Sequence, residues 1–395
     1  MIRWQINTYV AYRKVVLLTQ EHKNTRLNAR NFAKKEISPY IRAWEKAGSA
    51  PRELYRKMGT VGLMGMTISQ EYGGSGLDFV SYVLAVEEIS AADGGISNMM
   101  SANNSPVAVA IEKFGTETQK QKLLPFLTSG EWLGCIHLTE PHTGSDASAI
   151  TTRAVQDGDE YVLTGQKSFI TGGSTAKIAL IIARTDERKE KNGITAFICS
   201  TDNPGYKVLS KEKKLGHRTN DTCQVAFDSM RIPATDVLGE VGRGLSVALG
   251  GLSLGRIGVA AQSVGGARSA LAAAHRYSKD RKTFGKAIIE HQAISFKLAE
   301  MATQIEVARQ MYLHAAEKHD AGLDSTYEAS VSKLFASEMA ERVASAAIQI
   351  HGGYGYLEDY EVEKIYRDVR VYQIYEGTSE IQKIVISRHL DKIDL

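Results

Sequence analysis

Cysteine is scarce in this 395-residue chain: Cys135, Cys199 and Cys223 are all it has. The number is odd, the spacings are wide and no Cys-x-x-Cys pair occurs, so neither a disulfide framework nor a thiolate zinc site is supported. A reducing compartment fits, and the expected location is the cytoplasm, or the mitochondrial matrix for a eukaryotic source. None of the ten histidines falls in a His-Glu-x-x-His arrangement, and no metal site is expected. No apolar run approaches the ~20 residues needed to cross a bilayer, which speaks against a membrane protein. An excess of one charge is missing too. The 48 basic and 45 acidic residues leave a formal net charge of +3 and are interleaved, which argues against nucleic acid as the main partner. Nucleotide signatures fail their context. Gly239-x-x-Gly242-x-Gly244 lacks the dinucleotide-binding order and lies in no strand–helix–strand unit, and Gly165-Gln166-Lys167-Ser168 lacks the glycine that precedes lysine in a P-loop.

What the chain does have is 43% hydrophobic residues over a length that suggests two or three domains. Residues 1–16 carry Arg3, Arg13 and Lys14 ahead of the first acid, Glu21. Without serine or a secretory apolar core, they read as an N-terminal extension rather than a targeting signal. From 17 to 133 the pattern is helical, with Leu27, Phe32, Ile37 and Ile41 at roughly helical spacing, buried helices over Phe79–Ile89 and Pro106–Phe114, and a Thr116-capped helix to Leu127. Between 134 and 243 the period becomes alternating. Asp157-Gly158 is a hairpin signal, and short strands over Ile178–Ala183, Ile194–Cys199, Tyr206–Leu209 and Gln224–Phe227 predict an antiparallel β-domain. From 244 to 395 long helices return, near 245–279, 288–320 and 326–351, with shorter ones near 361–369 and 379–391. Ala260, Val264, Ala267, Leu271 and Ala274 form a stripe suited to close helix packing, so a four-helix bundle is expected. The fold class is therefore α+β.

Glu376 is the most pointed candidate for chemistry. It follows the bulky run Val371–Tyr375 and precedes Gly377, whose missing Cβ permits close approach. Ser379 with Gln382 reads as a capping box, leaving Glu376 on a loop at the mouth of a helix. Desolvation there would raise its pKa into the range of a general base. A favourable charge beside the helix dipole is the plainer account of the same residue. Leu138-Thr139-Glu140-Pro141-His142-Thr143-Gly144-Ser145-Asp146 places hydroxyls and free amides in a loop leaving the first strand, fit to bind a planar heterocycle or a phosphate, or simply to turn. Phe169-Ile170-Thr171-Gly172-Gly173, Arg281-Lys282-Thr283-Phe284-Gly285 and His351-Gly352-Gly353-Tyr354-Gly355-Tyr356 each have a structural reading when taken alone.

Taken together, in this order, these motifs resemble the acyl-CoA dehydrogenases from about Leu17 to Leu390. The resemblance implies that family's fold, an FAD cofactor, and removal of two hydrogens from an acyl-CoA thioester to give the trans-2-enoyl-CoA. It assigns Glu376 as the α-proton base and makes its backbone N–H a donor to the thioester oxygen. Ile136, Leu138, Thr139, Ser145, Phe169, Ile170 and Thr171 would hold the flavin. Arg281, Thr283, Phe284, Gln292, Gln349, Gly352 and Gly353 would reach the FAD of a neighbouring subunit in a homotetramer, and Thr378 and Glu380 would lie near its adenosine. Ser145, Arg256, Tyr375, Gly377 and Arg388 would meet the acyl-CoA, and electrons would leave to an electron-transferring flavoprotein. Some members carry the base one residue before the equivalent of Arg256, but here that position is Gly255. Met99–Ser105 and Leu254–Gly258 look most like the short-chain, butyryl-CoA subfamily. The stretch Gly94–Ala110 has no Arg or Lys, which argues against a dicarboxylic acyl group. His142 and Thr143 depart from the small residues often found in the flavin loop. The competing readings are a medium-chain enzyme, a same-fold oxidase or monooxygenase using O₂, and a catalytically silent helical assembly protein.

Overall fold

Residues 17–186 and 193–392 are described by the computed structural model; the expected N-terminal extension lies outside the described residues. The chain opens with α1 (Gln20–Phe32), whose N-cap Thr19 accepts from the His22 backbone N–H while the His22 ring answers the cap, and continues through α2 (Ile41–Ala47) and α3 (Arg52–Thr60). Pro39 lies in a 3₁₀ turn, Ser38–Tyr40, as its fixed φ and missing donor require. Next come α4 (Phe79–Ala92), α5 (Gly94–Ala102), α6 (Val109–Phe114) and α7 (Glu117–Thr128), the last closed by the expected Thr116 cap as a capping box with Gln119. The helix expected from Pro106 begins only at Val109, because Asn103–Ala108 forms a wider π turn around the proline.

The sheet comprises β1 (Gly134–His137), β2 (Arg153–Asp157), β3 (Glu160–Thr171), β4 (Ile178–Arg184), β5 (Ile194–Ser200), β6 (Tyr206–Lys211) and β7 (Thr222–Pro233). Its order is β1-β4-β2-β3-β7-β6, with β5 also on β4. The β2–β3 hairpin turns at Gly158, where φ is +65. The expectation of an antiparallel domain needs correction, since β1 and β2 both run parallel to β4. A period of two is common to both orientations, so alternation alone does not reveal direction. The signal that does is β4 itself, an unbroken apolar run. Ala179, Ile181 and Ala183 join the core beneath the bundle, while Ile178, Leu180 and Ile182 pack with Ile111, Leu124 and Leu127 of α6 and α7. A strand covered on both faces has no polar face to alternate with.

The last third contains α8 (Gly244–Asp280), a hairpin of β8 (Lys282–Thr283) and β9 (Lys286–Ala287), α9 (Gln292–Asp320), α10 (Thr326–His351), α11 (Glu361–Val369) and α12 (Ser379–Ser387). Helix α9 starts four residues later than expected, since Ile288–Glu290 is a 3₁₀ turn. Helix α8 is the hub, packed against α10, α4 and α9. Small residues allow the close approach: a Cβ on Gly265 would lie 2.4 Å from the Glu87 carbonyl oxygen on α4. By length and composition α8 would span a bilayer, but 75% of its most apolar window is buried inside the protein.

Candidate active site

The loop between a 3₁₀ turn (Arg370–Gln373) and α12 carries two successive left-handed residues, Glu376 at φ +55 and Gly377 at φ +87. Glutamate enters this region at a cost in strain and stays only where its surroundings impose it. Here they do. The Gly377 carbonyl accepts from Lys333 Nζ at 2.7 Å and from Gln382 Nε2 at 2.8 Å, and Gln382 Nε2 also reaches the Glu376 carbonyl at 3.3 Å. A Cβ on Gly377 would sit 2.8 Å from that amide nitrogen. The capping box expected from Ser379 and Gln382 does not form. Thr378 is the N-cap and accepts from the Ile381 N–H, because Gln382 is occupied by the loop carbonyls and Ser379 Oγ is buried without a partner.

The Glu376 side chain turns onto α8 at Gly255. A Cβ there would be 2.7 Å from Glu376 Oε2 and 2.9 Å from its carboxyl carbon, so the glycine makes room for the carboxylate. Oε2 is buried and has no hydrogen-bond partner. Burial lifts the carboxyl to about 7, against the opposing pull of Arg256 and Lys333. Lys333 is itself fully buried, and burial pushes its ammonium down to about 8. Arg256 is also buried, with a guanidinium nitrogen 3.4 Å from Ser330 Oγ and Nε unpartnered; burial lowers its pKa. Tyr375 donates its hydroxyl to Gln262 Oε1 at 2.5 Å. A carboxyl held near neutrality beside two partly compensated cations is arranged for proton transfer rather than for an ion pair.

The other candidates fall into two groups. On the sheet, Ile136 ends in β1, and Leu138 and Thr139 follow in the loop, which the buried Lys167–Glu140 pair (2.8 Å) fixes. Lys167 also donates to the Leu138 carbonyl, and Glu140 accepts from the backbone of Thr151 and Thr152. The carboxylate is held at about 2 because Lys167 and these donors outweigh its burial, while burial lowers Lys167 to about 8. The Ser168 N–H binds the Thr139 carbonyl, which brings this loop beside Phe169, 69% exposed at φ +60. Ile170 is buried, Thr171 accepts from Asn98 at 3.4 Å, and Ser145 is exposed, as are His142 and Gly144.

At the far end of the bundle, Arg281, Thr283, Gly352 and Gly353 line a cavity of about 400 Å³ together with Tyr277, Ile288, Ile350, His351, Tyr354 and Leu357. No candidate from the sheet lines it. Arg281 lies over the Tyr354 ring at 5.8 Å, and Phe284, 96% exposed, tips the β8–β9 hairpin. Gln292 is the exposed first residue of α9, and Gln349 lines a separate surface hollow with Lys297 and Arg342. Glu380 and Arg388 are exposed on α12 and just beyond it.

Sequence reasoning missed Lys333, Gln262 and the Lys167–Glu140 pair, and read Gln382 as a cap rather than as a donor to the loop carbonyls. Lys333 and Gln382 sit in ordinary helical patterns, and only the turn of the chain between them brings both to the Gly377 carbonyl. Lys167 had a signal, a lysine at a core-facing position of a strand.

Family models agree in chain order: the acyl-CoA dehydrogenase N-terminal domain matches residues 19–131, the middle domain 135–230 and the C-terminal domain 242–390. An acyl-CoA dehydrogenase of Bacillus subtilis is 45% identical over 373 residues, 94% of this chain and 98% of that one. The solved butyryl-CoA dehydrogenase of Megasphaera elsdenii superposes with a TM-score of 0.92 at 42% identity, covering 95% of this chain and 99% of that one. A chain in the structure described as the electron transferring flavoprotein of Acidaminococcus fermentans gives a TM-score of 0.93 at 43% identity, over 95% of this chain and 99% of that one. With matches of this extent over all three regions, the chain belongs to the acyl-CoA dehydrogenase family of FAD-dependent oxidoreductases.

Proposed function

We propose that the protein converts a short-chain acyl-CoA, straight or branched, to its trans-2-enoyl-CoA, with Glu376 removing the α-proton. The observation that carries this reading is the Glu376 carboxyl itself: one oxygen buried and unpartnered, the backbone held left-handed, the pKa lifted to about 7. A thioester α-C–H is a very weak acid, so its base must be ionisable near neutrality and poorly solvated. The Glu376 backbone N–H is assigned to the thioester oxygen, where a donor stabilises the charge that develops as the proton leaves. Arg256, Ser145, Tyr375, Gly377 and Arg388 would meet the rest of the acyl-CoA, the exposed Arg388 facing its phosphates.

The chain's residues fit FAD. Phe169 offers an exposed aromatic face beside the Thr139 loop, as a planar ring requires, and Ile136, Leu138, Ser145, Ile170 and Thr171 complete that side. When bound, the flavin supplies the acceptor for the β-hydrogen. Arg281, Thr283, Phe284, Gln292, Gln349, Gly352 and Gly353 stand at an open end of the bundle, which supports their reaching a cofactor across a subunit boundary in a homotetramer. Thr378 and Glu380 are assigned to the adenosine side. An electron-transferring flavoprotein is the proposed acceptor of the electrons, in line with the Acidaminococcus match. A cytoplasmic location accords with the bacterial relative.

Anaerobic titration of the yellow protein with butyryl-, isobutyryl-, isovaleryl- and octanoyl-CoA tests this directly. Loss of oxidised flavin absorbance with a four- or five-carbon thioester is expected; a flavin that stays oxidised with all four would defeat the assignment.

A further inference from the structure

The chain between β6 and β7 packs against the helical region that carries Glu376, and one residue of this crossing, His217, is 4% exposed and left-handed at φ +51. Histidine enters that region more readily than most residues, but stays only where its surroundings impose it. Its N–H donates to Asp368 Oδ1 at 2.6 Å. Lys364 joins the other Asp368 oxygen, at 2.5 Å, to Asp93 Oδ2, at 2.7 Å. Asp93 Oδ1 in turn caps α5 through the Ile96 N–H at 2.8 Å and accepts from Thr219 Oγ1, two residues beyond His217. Lys364 and both aspartates are buried, and each carboxylate meets the ammonium, as enclosed charges require. The imidazole closes onto the first turn of α5, where a Cβ on Gly94 would lie 2.6 Å from His217 Nε2 and 2.8 Å from the Tyr372 hydroxyl.

The ring anchored in this way stands edge-on to two tyrosines, Tyr372 at 5.5 Å and Tyr375 at 6.2 Å between centroids, which stack on each other at 5.9 Å. Tyr375 is tied at its hydroxyl to Gln262, and Tyr372 to Ser90 Oγ at 3.1 Å, so the imidazole meets rings whose far ends are already held. Tyr375 shares a peptide with Glu376. We infer that His217 is a positioning residue for the base: its ring, held by the Asp93–Lys364–Asp368 cluster, braces Tyr375 and so fixes the place of the Glu376 carboxylate. This rests on the acyl-CoA dehydrogenase reading above. The action is one of shape. His217 Nε2 is buried with no partner, and burial brings the imidazole down to about 4, against the pull of Asp368 and Asp93, so a neutral ring faces the tyrosines near pH 7. The same short segment reaches the sheet residues assigned to the flavin, since Asn220 donates to the Gly95 carbonyl at 2.9 Å and the Asp221 carbonyl accepts from the N–H of Gly172, next to Thr171. Residues 217–221 thus touch both the base loop and the turn after Thr171, and a misplacement of reacting groups by about 1 Å costs up to about 100-fold in rate.

The test separates the ring from the backbone that carries it. His217→Asn keeps a residue at home in the left-handed region and the anchoring N–H but removes the ring; His217→Phe keeps a ring and removes the unpartnered nitrogen. Holoenzyme of each is reduced anaerobically by saturating butyryl-CoA, and its affinity for S-butyl-CoA, a thioether with no carbonyl to acidify its α-hydrogens, is read from the shift in the flavin spectrum. With His217→Asn the limiting reduction rate per bound flavin should fall ~10-fold or more while the S-butyl-CoA affinity holds; with His217→Phe the rate should stay close to that of the wild type. A wild-type rate per flavin in His217→Asn overturns the brace, because a purely structural role would lower only stability or flavin content. A His217→Phe rate as low as that of His217→Asn also overturns it, as does a loss of rate matched by an equal loss of affinity, which would place His217 in thioester binding. Should His217→Asn not fold, His217→Leu, which replaces the ring by a shorter branched chain, is expected to show a smaller loss, and a wild-type rate there overturns the brace as well. All of these outcomes leave the dehydrogenase reading intact, whereas a wild type that no thioester reduces overturns both.

Discussion

Two of the sites that enclose a glutamate carboxylate, on α4 and at Glu376, treat it in opposite ways. On α4, Glu87 and Glu88 are almost completely buried. Arg268 reaches Glu88 at 2.6 Å, Arg26 at 2.8 Å and Arg30 at 2.8 Å, while Arg309 and the Tyr312 hydroxyl serve Glu87. Burial alone would lift Glu88; Arg268 and Arg30 bring it down to about 2 instead. Glu376 has an arginine and a lysine nearby too, but neither hydrogen-bonds its Oε2, and its carboxyl rises to about 7. The contrast shows that burial alone does not decide a carboxylate's role. Where donors meet the oxygens, the charge binds α1, α4, α8 and α9 together; where they stop short, the group is left free to take and release a proton.

The largest effect should come from removing the free carboxylate. Glu376→Gln is expected to keep bound yellow flavin yet slow its reduction by acyl-CoA by ~10²–10⁴-fold or more, measured by anaerobic stopped flow. Reduction at the wild-type rate would show that another residue is the base. Glu88→Gln should have the converse outcome: chemistry per folded molecule little changed, but a stability loss of about 3 kcal/mol in denaturant unfolding, because Arg30 loses its paired carboxylate and Arg26 and Arg268 are left to share Glu87. That figure takes the low end because the arginines are partly solvated.

The pH dependence sharpens the comparison further. Glu88, with its depressed pKa, stabilises the fold above the ordinary carboxylate range, and that contribution fades as pH falls toward about 2. For Glu376 the sign is reversed. Between the ordinary range and about 7 the folded chain keeps a proton that the unfolded chain gives up, so stability falls across that window and levels off above it. The unfolding free energy of Glu376→Gln relative to wild type, from denaturant titrations, should accordingly rise over the same window and then flatten, by about 3 kcal/mol in all. A difference that does not vary with pH would mean the carboxyl is not raised. The smallest effect is expected of Lys333→Met. Removing a cation that favours the charged form raises the Glu376 pKa, so flavin reduction at pH 7 should drop about a few-fold, on the order of one unit of pKa or less, and recover at higher pH. A drop that persists at high pH would assign Lys333 to the loop alone, through the Gly377 carbonyl.

The helix–sheet–helix order was legible because hydrophobic period reports burial, and Glu376 stood out because a glycine follows it. Strand direction was not legible, since alternation is blind to it. Neither was the Gln382 contact, since three-residue spacing from Ser379 fits a capping box equally well, and only the left-handed pair at 376 and 377 turns the amide elsewhere. Lys333 lies 44 residues from the loop carbonyl it holds, a distance over which no local pattern operates.

The fit of the Glu376 carboxylate over Gly255 has a consequence for where a base can stand. Some family members place their base on the helix at this position, and here a Cβ at 255 would lie 2.7 Å from the free end of the carboxylate already present, a contact that a turn of that flexible side chain relieves. The two positions therefore compete for one space beside α8. With Glu376 as the proposed base, Gly255→Glu in a Glu376→Gly background is expected to recover flavin reduction that Glu376→Gly alone loses. The effect of the one substitution thus depends on the residue at the other position.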